Sequence, residues 1–137
     1  MKIAIIFVGI MRTDLEETIQ NISSVKDNFK DHDVKTYFVT WTLPNETAER
    51  IKQNVDFFHM EDEPSLEWVV ENIPACLNDP KKDKPPHLGG SYASMYYMLK
   101  CRQIAMKCME EDNNFTPDYT LLTRNDAYIK INDLDEW

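Results

Sequence analysis

Lys2-Ile3-Ala4-Ile5-Ile6-Phe7-Val8-Gly9 opens the chain, and its reading decides the fold. After Lys2 every residue up to the glycine is apolar, and most are β-branched or aromatic. Such a run has no polar face, as expected of a strand covered on both sides in a parallel sheet. It is far too short to cross a bilayer. Gly9 ends it, and Thr13-Asp14-Leu15-Glu16 follows. In that sequence Thr13 and Glu16 have the spacing of a capping box, so a helix is expected to start there. Leu15, Ile19, Ile22, Val25 and Phe29 recur at spacings of three and four and form the stripe that would pack on the sheet.

Outward from this β-α unit the same alternation continues. Residues 33–41, rich in Val, Tyr, Phe and Thr, read as a second strand that Leu43-Pro44-Asn45 stops. A short helix over 46–53, a brief strand over 55–59 and a helix over 65–72 capped by Ser65 follow. Residues 74–90 hold Pro74, Pro80, Pro85 and Pro86 and a basic run at 81–84, which reads as a long exposed loop. The longest helix is expected over 91–111, with Tyr97, Cys101, Ile104 and Cys108 on one face and Lys100, Gln103, Lys107 and Glu110 on the other. Residues 118–123 read as a strand ending in Arg124-Asn125-Asp126, and extended character resumes over 127–131. Strands alternating with helices imply a three-layer α/β fold, a mainly parallel sheet with helices on both faces. The length of 137 residues suits one domain spanning 1–137.

Composition narrows the function classes. With 42% hydrophobic and 28% charged residues the chain can bury a core. Its formal charge of −9 opposes a phosphate backbone or an anionic bilayer, so no nucleic-acid partner and no membrane span are expected. Cys76, Cys101 and Cys108 form neither a CxxC pair nor a disulfide framework and read as reduced thiols. The default address is cytoplasmic.

In open α/β sheets ligands bind beyond the carboxyl ends of the strands, where strand order reverses. That rule selects the turn from Gly9 to Arg12 and the segment Arg124 to Asp126. Gly9 permits a sharp turn or a close backbone approach, and Arg12 offers a forked cation to phosphate. The alternative at each place is structural: a glycine ending a strand, a solvated arginine, or an Arg-Asp pair closing a strand. No GxGxxG or Walker pattern is present, which argues against a dinucleotide or P-loop site. Gly89-Gly90-Ser91 reads as an N-cap or an anion nest. Asp31-His32-Asp33 reads as a solvated turn, and His59 and His87 lack partners at ligand spacing.

The run Ile3 to Gly9 with Arg12, the strand ending in Thr40-Trp41, the step Tyr92-Ala93-Ser94 and the stretch Asp118 to Asp126 together resemble a group of viral and bacterial GT-A glycosyltransferase-like proteins. In these a strand ends in a T-R-x-D signature, here Thr123-Arg124-Asn125-Asp126. The resemblance spans the chain in the expected order and implies the nucleotide-sugar-binding half of a GT-A fold, short for that fold. It implies a nucleoside-diphosphate sugar as partner, with the loop after the first strand near base and ribose. Gly9, Arg12, Arg124 and Tyr92 would then contact donor and phosphate. Asp126 would bind Mg²⁺ or Mn²⁺, with Asn125 as a weaker oxygen ligand, or the donor ribose. Arg124 stands where other members carry the first carboxylate of a DxD motif, so direct pairing of Arg124 with phosphate is an alternative to the metal.

The expected activity is sugar transfer to a hydroxyl acceptor. The rival expectation is a truncated, non-catalytic nucleotide- or protein-binding module of the same fold. Strand edges left unpaired by a missing half would favour a homodimer.

Overall fold

The computed structural model describes residues 1–9, 11, 13–62, 65, 92–111 and 114–126, and within 92–111 the side chains of 100, 102–107 and 109–111. Its elements are β1 (Lys2–Val8), α1 (Leu15–Asp27), β2 (Asp33–Trp41), α2 (Asn45–Lys52), β3 (Phe57–Glu61), α3 (Tyr92–Glu111) and β4 (Tyr119–Arg124). The four strands form one sheet in the order β3-β2-β1-β4, and every pairing is parallel. The helix expected over 65–72, apart from Ser65, the loop over 74–90 and the extended segment over 127–131 lie outside the described residues.

Pleating sorts the strand residues into two cores. Ala4, Ile6 and Val8 of β1 join Tyr37, Val39 and Trp41 of β2 and pack against Ile104, Ala105 and Met109 of α3. The intervening residues Ile3, Ile5 and Phe7 join Phe38 and pack, on the other face, against Ile22 and Val25 of α1, Phe29 just after it and Ile51 of α2. Successive side chains of a strand point to opposite faces, so an apolar run without a polar face needs helices on both. The three-layer α/β expectation is met in this way.

Local details differ from the expectations for physical reasons. The α1 N-cap is Asp14 and not Thr13: its side chain accepts a hydrogen bond from the Glu17 amide at 2.8 Å. Thr13 instead shares a 2.8 Å hydroxyl contact with Thr18. That register puts Thr18, fully buried, in the stripe where Ile19 was expected, giving Leu15, Thr18, Ile22, Val25 and Phe29 at an alternating three-four spacing. The Thr18 hydroxyl has a partner in the Asp14 carbonyl at 2.9 Å, which makes its burial tolerable.

β3 begins two residues later than expected because Asp56 is used as a lock. Its carboxylate accepts from the Thr36 amide at 2.7 Å and from the Thr36 hydroxyl at 2.8 Å, while its own amide reaches the Thr36 carbonyl at 3.1 Å. Strand pairing therefore starts at Tyr37 against Phe57. Thr36 is fully buried, so Asp56→Ala leaves a buried donor without its acceptor. The expected loss is about 1–3 kcal/mol of unfolding free energy. An unchanged urea midpoint would show that the lock does not hold β3.

Candidate functional site

The chain runs from β1 outward through β2 to β3, then returns to lay β4 on the other side of β1. The direction of winding reverses between β1 and β4, so the crevice of this sheet opens beyond the carboxyl ends of those two strands. The register puts Val8 opposite Arg124, which brings the turn after β1 and the end of β4 side by side.

Gly9 is the pivot. Its φ is 109°, in the region that only glycine enters without steric cost, and its amide donates to the Val39 carbonyl at 3.3 Å. Its carbonyl accepts two side-chain hydrogen bonds, from the Thr40 hydroxyl at 2.8 Å and from Asn125 Nδ2 at 3.0 Å. Thr40 and Asn125 are both 1% exposed. One carbonyl thus ties together the ends of β1, β2 and β4. A carbonyl can only accept, so it also sets the Asn125 amide with nitrogen toward Gly9. Asn125 Oδ1 is consequently left buried with no donor among the described residues.

Above this knot lies a forked ion pair. Arg124 Nε donates to Asp126 Oδ1 at 2.8 Å and Arg124 Nη2 to Asp126 Oδ2 at 2.6 Å. The hydrogen bonds first and the opposite charge second hold the guanidinium above its ordinary pKa, against a small opposing effect of burial. The arginine side chain is 55% exposed and the aspartate 16%, so the carboxylate sits below and the guanidinium faces outward. Of the other described residues that end or follow strands, Glu61 at the end of β3, Asp62 after it and Asp14 after β1 are acidic. Among the described residues that end or follow the strands, Arg124 is the basic one.

The fit to a divalent cation is poor among the described residues. Both Asp126 oxygens are taken by Arg124, and Asn125 is fixed by Gly9 with its free oxygen buried. No group of three His, Cys, Asp or Glu side chains converges among the described residues. One ion-paired carboxylate and one buried amide fall short of the oxygen cage that Mg²⁺ takes.

Of the residues expected at the site, the structure brings Gly9, Arg124 and Asp126 together. Arg12 lies outside the described residues; Tyr92 is the first residue of α3, and its side chain lies outside them. Thr40 was read only as part of a strand end and Asn125 only as a weak oxygen ligand, and both prove to be the struts of the rim. The Arg124–Asp126 pair spans the turn that ends β4. A groove of about 350 Å³ lined by Ser23, Lys26, Gln53 and Asp56 lies at the opposite end, where α1 and α2 finish, and is no part of this rim. No family model, curated protein or solved structure matches this chain.

Proposed function

We propose that this chain binds a nucleoside-diphosphate sugar at the rim between β1 and β4, as a glycosyltransferase of GT-A type or its donor-binding half. The observation that carries the reading is the juxtaposition of the Gly9 turn with an outward-facing guanidinium at the switch point of a parallel sheet. Gly9 is itself buried, with its amide and carbonyl both engaged, so it shapes the rim from below, and the cation meets the diphosphate. The resemblance of Thr123-Arg124-Asn125-Asp126 to the T-R-x-D signature supports the same place. None of the described helices is long and apolar enough to cross a membrane.

The test is a thermal-shift screen of nucleoside diphosphates and their sugars, each with and without Mn²⁺. A ligand selective for the native state raises the melting point by mass action, by about 2.7 kcal/mol of added stability at a hundred times its Kd. A shift restricted to one base, with release of the sugar over time, is the expected result. A shift without turnover favours the non-catalytic module of the same fold. No shift with any member of the panel overturns the donor-binding reading.

A further inference from the structure

We infer that Asp126 is the positioning residue of a metal-independent phosphate clamp, in which the Arg124 guanidinium occupies the role that a divalent cation would otherwise fill. The inference rests on the donor-binding reading and adds how the diphosphate is held. Asp126 engages the side edge of the guanidinium, Nε and Nη2. Both N–H groups of Nη1 and the second of Nη2 are left without a partner among the described residues. One Nη1 donor and the free Nη2 donor lie along the end edge of the planar group, the edge that meets two phosphate oxygens at once. A carboxylate on the side edge therefore does not compete with phosphate for the end edge. It aligns it.

Electrostatics point the same way. Asp126 is the more buried partner, and its two contacts restrict the rotation of a long side chain whose ordering otherwise opposes binding. For Asp126 to serve as a metal ligand the metal would have to enter beside the guanidinium cation that both carboxylate oxygens already engage. As arranged, the charge that offsets the diphosphate is already in place and is carried by the chain itself. Lysine at position 124 would keep the charge and lose the planar fork, so charge and geometry are separable.

The experiment is calorimetric titration of the full chain with uridine, guanosine, cytidine and adenosine diphosphates, once in EDTA and once in Mn²⁺. The expected result is an affinity for the bound nucleotide that agrees within about twofold between the two buffers. Arg124→Gln is expected to weaken it about ten- to a hundredfold in both, the fold-change of losing a charged hydrogen-bond partner. Arg124→Lys is expected to recover only part of that loss. Asp126→Asn is expected to weaken binding about three- to tenfold in both buffers while the urea midpoint stays put, because an exposed ion pair contributes little to stability. A merely structural carboxylate would move the midpoint and the affinity together. Binding that appears in Mn²⁺ and vanishes in EDTA, or an Asp126→Asn loss confined to Mn²⁺, overturns the clamp while the donor-binding reading stands. No binding in either buffer removes both.

Discussion

Phe38→Ala is expected to remove about 3–5 kcal/mol of unfolding free energy, a large part of the total that a domain of this size possesses. Phe38 is fully buried in β2, in register with Phe7 of β1 and Phe58 of β3. The three rings form a ladder across the sheet, with centroids 6.2 Å apart for Phe7 and Phe38 and 5.9 Å apart for Phe38 and Phe58. Truncation at the middle ring deletes both contacts and opens a cavity between rigid strands that cannot collapse into it. Phe38→Leu, which keeps most of the volume, is expected to lose no more than about 1.5 kcal/mol. The comparison is made by urea unfolding followed by circular dichroism. A loss below about 1 kcal/mol for the alanine variant would mean that the ladder is not a unit of the core. Phe7 stands two residues before the Gly9 turn, so the ladder also supports the floor of the crevice.

The parts of the fold set by local pattern were legible in the sequence. β1 and β2 have the bounds expected from their β-branched and aromatic runs, since Gly9 and Leu43-Pro44 end those runs sharply. The long helix ending at Glu111 followed from its periodicity, and exposed Gln103, Lys107 and Glu110 confirm the solvent face assigned to it. Features set by partners distant in the chain were not legible. The start of β3 depends on Thr36 and Asp56, twenty residues apart, and no local propensity reports that bond. The α1 stripe differs from its expected form only in having Thr18 in place of Ile19, because Thr18 is polar by composition and apolar in use, its hydroxyl being satisfied by the turn before it.

The same division runs through the candidate site. Gly9 and Arg124 were legible because the switch-point rule converts strand order into a place. What holds that place together was not, because the Thr40 and Asn125 bonds to Gly9 join residues 31 and 116 positions apart. Asn125 looks in the sequence like one more polar residue at a strand end, and only the fold reveals that it is as buried as the core. A polar side chain so placed either completes a network or destabilises the structure. Here one half of the amide completes the network and the other half, Oδ1, has no donor among the described residues.

Asn125→Asp is therefore expected to destabilise the chain strongly and in a pH-dependent way. The change is nearly isosteric, so packing is preserved, and the donor that faces the Gly9 carbonyl becomes an acceptor. At neutral pH a carboxylate would be buried against a carbonyl oxygen, and an uncompensated buried charge costs roughly 3–5 kcal/mol. Burial disfavours the charged form, so the introduced carboxyl should have a folded-state pKa above its unfolded value of about 3.9. Below that unfolded value the group is protonated in both states, and its O–H can donate to Gly9 in place of the lost amide. As pH rises toward the raised folded-state pKa the unfolded chain releases its proton first, and stability is drained until the folded group ionises as well. The gap between the original chain and the variant should thus be widest near pH 7.5 and narrower near pH 5.5, read as urea midpoints at about those two values. Equal gaps at both pH values, or a variant as stable as the original at the higher one, would show that Asn125 does not tie β4 to the Gly9 turn, and the rim on which the phosphate clamp stands would lose its strut.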